Sequence, residues 1–185
     1  MIEALISSRT RVKLLLKFFL NSNTSAYLRG LETEFGESSN AIRLELNRLE
    51  QAGMLISQSD GNKKRFRANT AHPLFGDIHN ILRKHIGLDH IVEEVVDRLG
   101  EVDRVFLTGD FARGIDSPII DLVLVGRVDQ NYLIHLIERA EGLIKRKIRY
   151  LIYDNGAFPG PQAKPGEPEP LLLWSRENLP NTIIK

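Results

Sequence analysis

The amino-acid sequence predicts an α+β protein built from two parts. In residues 1–72, three segments with apolar residues at helical spacing precede two short strands around Asp60-Gly61. In residues 100–185, two apolar strands, a helix and a third strand follow one another. Each amphipathic helix or strand must bury its apolar face against another element, so each part should form its own core. Residues 73–99 lie between them and are predicted to be linker helices.

Composition narrows the class of protein. The chain has 185 residues, of which 42% are hydrophobic and 26% charged, as in ordinary globular proteins. It has no cysteine, which excludes disulfides and thiolate metal sites. No apolar run approaches the roughly 18 residues of a membrane span, and MIEALISSRTR lacks the pattern of a secretory signal. We therefore expect a cytoplasmic protein without a membrane partner.

Positive charge is concentrated near the beginning of the chain. Residues 1–70 contain 11 Lys and Arg against 7 Asp and Glu, whereas residues 71–185 contain 14 against 17. Such an excess is modest, and it indicates a nucleic-acid partner only where the basic residues cluster on one surface.

The first part shows helix boundaries at polar residues and glycines. A buried helix covers Val12–Leu20, and a second helix, capped by Thr24 or Ser25, ends at Gly36. Ser38 or Ser39 caps a third helix. Its inward stripe is Ile42, Leu46 and Leu49, and it ends at Gly53. Met54–Ser59 and Lys63–Ala68 then form a hairpin around an Asp60-Gly61 turn.

Polar and basic residues suggest a DNA-binding surface on this part. The third helix has polar side chains opposite its apolar stripe, and the return strand of the hairpin carries four cations. Such side chains hydrogen-bond base edges or neutralise phosphates. The candidate DNA contacts are Ser38, Ser39, Asn40, Arg43, Asn47, Arg48, Lys63, Lys64, Arg65 and Arg67. The alternative is that this polar face is merely solvated.

Three helices followed by a basic hairpin describe a winged helix-turn-helix, and residues 7–75 resemble the arsenical-repressor (ArsR) family of regulators. The matching segments are Ser38-Ser39-Asn40-Ala41-Ile42, Leu46-Asn47-Arg48-Leu49-Glu50, Ala52-Gly53-Met54-Leu55 and Arg67-Ala68-Asn69. The resemblance implies a partner of double-stranded DNA, with the third helix in the major groove and the wing on the backbone. It also implies a homodimer, for which the helices Phe75–Ile86 and Leu88–Leu99 are the candidate interface.

Histidines in the linker suggest a metal site at first sight. His79, His85 and His90 follow one another there, but no pair has the i, i+4 spacing of ligands on one helix face. We predict no metal at these residues and expect them to lie on a surface or interface.

The second part centres on Val105–Gly126, where a strand leads into Gly109-Asp110-Phe111-Ala112-Arg113-Gly114 and then into a strand carrying Asp121. This pattern resembles the minimal nucleotidyltransferase superfamily. The resemblance implies a phosphate-binding Gly-Ser and three carboxylates that hold two magnesium ions. Here Asp110 replaces the serine, Ile119 replaces the first carboxylate, and Lys147 and Arg149 stand where the third is expected. A carboxylate repels phosphate, and an isoleucine cannot bind magnesium.

Our hypothesis is therefore a DNA-binding transcriptional regulator with a catalytically inactive nucleotidyltransferase-like domain that serves ligand sensing or assembly. No catalytic residue, cofactor or metal is assigned. The vestigial nucleotide pocket comprises Gly109, Asp110, Arg113 and Asp121, and its ligand would be a small molecule or nucleotide. One alternative is an active magnesium-dependent nucleotidyltransferase that the winged helix targets. Another is an interaction module that contacts protein or RNA.

Overall fold

The computed structural model describes residue 2 and residues 5–99, 101–160 and 170–178, without the side chains of residues 93, 94 and 97. The fold is α+β with two sheets, as predicted. Contacts divide the chain into two units, Met1–His85 with Arg113–Asp116, and Ile86–Ala112 with Ser117–Lys185. The predicted domain boundaries lie at residues 72 and 99, whereas this division lies between His85 and Ile86. The two boundaries therefore stay a prediction.

The first unit begins with a helix capped by Ser8. The Ser8 side chain accepts a hydrogen bond from the backbone N–H of Arg11, which satisfies one free donor of helix α1, Arg9–Leu15. The helix continues as a π-helical turn, Leu16–Leu20, whose five residues are all buried. The Phe19 carbonyl of this turn accepts a hydrogen bond from Nδ1 of His79 at 2.7 Å. His79 thus links α4 to this turn through a hydrogen bond.

The second helix, α2, covers Leu28–Phe35 and ends at Gly36, which has the left-handed conformation expected at a helix end. The prediction that Thr24 or Ser25 caps this helix is wrong. Ser25–Tyr27 instead forms strand β1, and Tyr27 precedes the helix without a side-chain cap. The reason is tertiary, because these residues take an extended conformation to pair with the hairpin strand that follows later in the chain.

Helix α3 covers Ser39–Gln51, with Ser38 as its cap, and it buries Ile42, Leu46 and Leu49 as predicted. The hairpin strands are β2, Leu55–Asp60, and β3, Lys63–Ala68. Because Asp60 pairs with Lys63, the two turn residues are Gly61 and Asn62 instead of Asp60 and Gly61. The sheet order is β1-β3-β2, and all its pairs are antiparallel.

Four helical segments connect the hairpin to the second sheet. Helix α4 covers Phe75–Ile86, as predicted, and Phe75 stacks on Phe19 with the ring centroids 5.5 Å apart. The helical spacing of Ile78, Ile81, Leu82 and Ile86 predicts that all four are buried, but Ile81 is 47% exposed. Helix α5, Leu88–Ile91, then runs through a π turn, Val92–Val96, into helix α6, Asp97–Leu99.

The second unit contains a mixed four-stranded sheet with the order β6-β5-β4-β7. Its elements are β4 (Val102–Thr108), α7 (Gly109–Ala112), β5 (Ile119–Gly126), α8 (Gln130–Ile144), β6 (Lys147–Tyr153) and β7 (Leu171–Ser175). Strand β5 is antiparallel to β4 and parallel to β6, with α8 connecting the parallel pair. The predicted order of two strands, a helix and a third strand thus forms a small mixed sheet, to which β7 adds an antiparallel edge.

Helix α8 begins at Asp129, whose side chain accepts hydrogen bonds from the backbone N–H groups of Asn131 and Tyr132. The sequence predicts a core stripe of Leu133, Ile134, Ile137, Ala140, Leu143 and Ile144 on this helix, and this prediction is partly wrong. Leu133, Ile137 and Ala140 are buried, but Ile134 and Leu143 are exposed, and Leu136 is buried instead. With about 100° between successive residues, Ile134 and Leu143 lie beyond the edges of the buried face.

Most of the predicted loop Gly156–Pro170 lies outside the described residues, since positions 161–169 are not among them. Before that gap, Phe158 stacks on Phe106 with the ring centroids 5.1 Å apart. Among the described helices, none is long and apolar enough to cross a membrane.

The sequence did not predict that Glu45 of α3 would be buried. Its side chain is 6% exposed, and Oε2 lies 2.7 Å from Nε of Arg11. Oε1 lies 3.1 Å from Nη1 of Arg48 and accepts a hydrogen bond from the Ser8 hydroxyl. Burial alone would raise the pKa of this carboxyl. The hydrogen bonds from Arg11 and Ser8 and the two guanidinium charges outweigh that effect and lower the pKa.

We predict that Glu45→Gln lowers the free energy of unfolding at pH 7 by about 1–3 kcal/mol, since it removes charge-assisted hydrogen bonds at a buried position. Because folding lowers the pKa of Glu45, the ionised carboxylate stabilises the fold above about pH 4.5 and loses this effect as the pH falls through the folded-state pKa. The difference between wild type and variant should therefore shrink below that pH. Urea unfolding from pH 7 to pH 3 measures it.

Glu138→Gln is the matched control, because Glu138 lies on the exposed face of α8 with its side chain 72% exposed. It should leave the free energy of unfolding within about 0.5 kcal/mol of wild type. Equal stability of the Glu45 variant and wild type at pH 7 would contradict the assigned role of Glu45.

Candidate functional site

A cleft in the first unit lies between the beginning of α2, helix α3 and the tip of the hairpin. Its volume is about 640 Å³, and Tyr27, Leu46 and Phe66 form part of its apolar wall. The polar and basic residues that line it are Arg29, Arg43, Asn47, Asn62, Lys63 and Lys64. We call this surface the basic cleft. Four residues predicted as DNA contacts, namely Arg43, Asn47, Lys63 and Lys64, therefore lie together.

Most cations of the basic cleft have no acidic partner. Within the described ranges, Arg29, Arg43 and Lys63 are exposed and make no ion pair or side-chain hydrogen bond. Lys64 is the exception, with Nζ 3.5 Å from Oε2 of Glu50. Unpaired cations around one concave surface create a positive potential there that attracts an anionic partner.

Arg29 was not predicted as a contact residue. It follows Tyr27 by two positions at the beginning of α2 and has no helical-spacing relationship to Arg43. Only the packing of α2 against α3 brings the two arginines to one cleft. The sequence contains one signal that could have identified Arg29. A positive charge in the first turn of a helix is unfavourable to the helix dipole, so a cation there suggests another role.

Several predicted DNA contacts do not line the basic cleft. Ser38 uses its hydroxyl oxygen to cap α3, accepting from the backbone N–H of Ala41 at 3.3 Å, and the Ser39 hydroxyl donates to Glu32. Asn40 is exposed in the first turn of α3, and Arg67 is exposed on β3. Neither residue is among those that line the cleft.

Arg48 lies on a different side of α3 from Arg43. The two are five positions apart, which corresponds to a rotation of about 140° around the helix. Arg48 is 53% exposed and pairs with Glu45, beside Arg11. The structure therefore does not bring Arg48 together with Arg43 and Asn47.

Arg65 is held by Tyr27 at the edge of the basic cleft. Its Nε and Nη2 donate to the Tyr27 hydroxyl at 2.9 and 2.6 Å, and that hydroxyl donates to Asp60. The guanidinium also lies over the Tyr27 ring, 5.1 Å from its centroid. These hydrogen bonds and the negative charge of Asp60 raise the pKa of Arg65. Arg65 thus links β3 to β1 and is partly neutralised by Asp60, unlike Lys63.

In the second unit, Gly109 begins α7 directly after β4 and has a φ angle of +63°. Asp121 of β5 pairs with Thr108 across the sheet, so its side chain lies beside this glycine. A Cβ atom at position 109 would overlap Oδ2 of Asp121 and lie 3.0 Å from its Cγ. Both the left-handed backbone and the close carboxylate therefore require glycine.

Arg149 occupies the neighbouring position on β6. Asp121 and Arg149 are register partners in the parallel pair, and Nε of Arg149 lies 2.6 Å from Oδ1 of Asp121. The hydrogen bond to Asp121 and its charge, together with the charge of Asp110, raise the pKa of Arg149. Ile119 pairs with Lys147 in the same register. Asp121, the one carboxylate that matches the nucleotidyltransferase pattern, is thus paired with the Arg149 guanidinium.

These residues do not fit a magnesium site. In the described part of the chain, no three Asp, Glu or His residues lie close enough together to hold a metal ion. Divalent cations need several oxygen ligands, whereas here one carboxylate is bound by a guanidinium and the neighbouring positions hold Ile119 and Lys147. Of the predicted nucleotide pocket, Gly109, Asp110 and Asp121 lie in the second unit, and Arg113 belongs to the segment grouped with the first.

The chain shows little similarity to known proteins. No protein-family model matches the chain, and no curated protein matches it. One similar solved structure is a putative nucleotidyltransferase from Sulfolobus solfataricus, 24% identical in sequence, covering 55% of this chain and 88% of that one, with a TM-score of 0.34. A likeness of this size makes it a distant structural neighbour and does not by itself establish a shared fold or activity.

We predict that Gly109→Ala lowers the free energy of unfolding by about 1–3 kcal/mol, because the alanine must adopt a left-handed conformation and displace the Asp121 carboxylate. Chemical denaturation measures the change. Gly142→Ala is the matched control: Gly142 lies inside α8 with open space around it, so alanine there should stabilise the helix by about 0.5–1 kcal/mol. A Gly109 variant as stable as wild type would show that Asp121 does not need this close approach.

Proposed function

We propose that the first unit is a winged helix-turn-helix domain that binds double-stranded DNA, and that the protein is a transcriptional regulator. One observation carries this proposal: Arg29, Arg43 and Lys63 line one cleft without acidic partners among the described residues. Exposed cations usually occur beside acidic side chains on a mixed surface, so an unpaired group around a concave surface suits a polyanion.

The order of elements supports the same proposal. Helix α3 follows α2 across the short turn at Gly36, and a hairpin of two strands follows α3. Helix α3 keeps its apolar side in the core and presents Arg43 and Asn47 to solvent. In a helix-turn-helix, the second helix enters the major groove, where arginine pairs with guanine and asparagine with adenine.

The hairpin tip would contact the DNA backbone. Lys63 and Lys64 lie next to the turn, at the rim of the cleft, where long flexible cations can reach phosphates. Such contacts release counterions, so the affinity should fall steeply with salt. Arg29 would add a cation from α2, and its position at the start of a helix suits a phosphate contact more than a base contact.

For the second unit, we propose a role in ligand sensing or assembly without catalysis. The support is the Asp121–Arg149 pair, which places a guanidinium against the carboxylate that a metal would need. A homodimer and a small-molecule or nucleotide ligand at Gly109, Asp110 and Asp121 remain predictions. For such a ligand to regulate, it must bind the DNA-bound and free states with different affinity.

We expect the purified protein to select a sequence from a pool of random duplexes, and Arg43→Ala to weaken binding to it by about 1–3 kcal/mol while reducing discrimination between sequences. Lys63→Ala should weaken all duplexes alike and reduce the slope of log affinity against log salt by about one. Fluorescence anisotropy across a salt series measures both effects.

Arg127→Ala is the control for charge, since Arg127 is exposed and follows β5 in the second unit. It should change neither selectivity nor the salt slope. The DNA-binding proposal fails if wild type binds no duplex at low salt, or if Arg43→Ala and Arg127→Ala behave alike. Selective binding of single-stranded RNA in the same assay would favour the interaction-module alternative.

We also expect no magnesium-dependent incorporation of label from nucleoside triphosphates into the protein, DNA or RNA. The measurement compares wild type with Asp121→Asn, using several nucleotides and both magnesium and manganese. Incorporation by wild type that disappears in Asp121→Asn would contradict inactivity and establish the enzyme alternative. Incorporation that persists in the variant would indicate a contaminant.

A further inference from the structure

A second concave surface in the first unit lies on another side of α3 from the basic cleft. It is formed by Ile2, Ile6, α1, the end of α3 and α4, and its volume is about 360 Å³. Ile6, Leu15, Leu49 and Ile81 are among the apolar residues that line it, and Arg11 and Arg48 are its charged ones. We call it the apolar groove. Sites for small molecules typically have volumes of about 300–1,000 Å³, an apolar wall and a few convergent polar groups.

The two arginines leave a positive excess at one side of the apolar groove. Both bind the same carboxylate, with Nε of Arg11 2.7 Å and Nη1 of Arg48 3.1 Å from the oxygens of Glu45. Two cations and one anion carry a net charge of +1. A guanidinium has five N–H donors, and only one from each arginine is used on Glu45, so both retain donors for a further anion. No acidic residue is among the described residues that line the groove.

The apolar side of the groove includes a side chain that burial would stabilise. Ile81 lies at a core position of the amphipathic helix α4 and is nevertheless 47% exposed. Its neighbour Leu82 is fully buried. Covering an exposed isoleucine removes apolar surface from water and favours any ligand that does so.

We propose that the apolar groove binds a small amphiphilic carboxylate. The alkyl chain lies against Leu15, Leu49 and Ile81, and the carboxylate accepts hydrogen bonds from Arg11 and Arg48. Planar guanidinium groups bind carboxylates through paired hydrogen bonds, which makes an acid a better ligand than the corresponding alcohol or amine. The net charge at the arginines favours this occupant over a second copy of the chain, whose apolar helix face would leave the positive excess without an anion.

The experiment is a calorimetric titration of the full chain, without DNA, with octanoate and with octanol and octylamine of the same chain length. Octanoate should bind at least about tenfold more tightly than either, since only it supplies an anion to the arginines. Arg48→Gln should remove that preference, and Ile81→Ser should weaken octanoate and octanol alike. Both residues are about half exposed, and Glu45 keeps Arg11 and Ser8 as partners when Arg48 is replaced, so the variants should remain folded, which circular dichroism checks.

Matched controls come from the second unit. Arg127→Gln removes an exposed arginine, and Ile134→Ser truncates an isoleucine of nearly the same exposure, 45%, on α8. Neither should change the affinity for octanoate. The chemical shifts of backbone amides in α4 and at the end of α3 should move on titration, which locates the ligand.

Four results would overturn the proposal. Octanoate that does not bind at millimolar concentration excludes the ligand class. Equal binding of octanoate and octanol shows that the arginines do not bind the carboxylate. Binding that Arg48→Gln and Ile81→Ser leave unchanged shows that the ligand lies outside the groove. A dimer in sedimentation experiments that Ile81→Ser dissociates and octanoate does not would show that a second copy covers the groove. None of these outcomes bears on DNA binding, which is measured without the amphiphile.

Discussion

Burial of Ile42, Leu46 and Leu49 determines how α3 is rotated about its axis, and both surfaces of the first unit depend on that rotation. With these three side chains in the core, Arg43 and Asn47 face the basic cleft and Arg48 faces the apolar groove. If α3 were rotated about its axis, Arg43, Asn47 and Arg48 would no longer face these two surfaces. The apolar stripe of one helix thus decides which of its polar residues can contact DNA and which can contact a small anion.

Glu45 adds an electrostatic constraint to this apolar one. It lies on the buried side of α3 and binds Arg11 of α1 and Arg48 of its own helix, so α1 and α3 are joined through a single ionised carboxylate. A buried carboxylate is stable only when its hydrogen-bond partners are in place, which makes this pair of helices specific to one relative position. The same carboxylate uses only part of the hydrogen-bonding capacity of the two arginines.

In the second unit, one ion pair holds the carboxylate that lies beside Gly109. Asp121 approaches Gly109 closely enough to exclude a side chain there, and Arg149 from the neighbouring parallel strand binds its carboxylate. A guanidinium neutralises this charge permanently, since arginine keeps its proton at any physiological pH. This permanent pairing of Asp121 with Arg149 agrees with the role proposed for the second unit.

The sequence by itself determined the elements whose signals are local. Alternation and helical spacing identified α3, α4, β5 and the hairpin. The pairing of Asp121 with Arg149 was not predicted, since it depends on the register of β5 against β6. Tertiary structure decided everything that depends on distant segments. Ser25–Tyr27 became a strand because β3 offered an open edge, Arg29 reached the basic cleft because α2 packs beside α3, and Glu45 reached Arg11 of α1. Spacing along one helix specifies a side chain's direction only relative to that helix, and the partner in that direction comes from packing between elements.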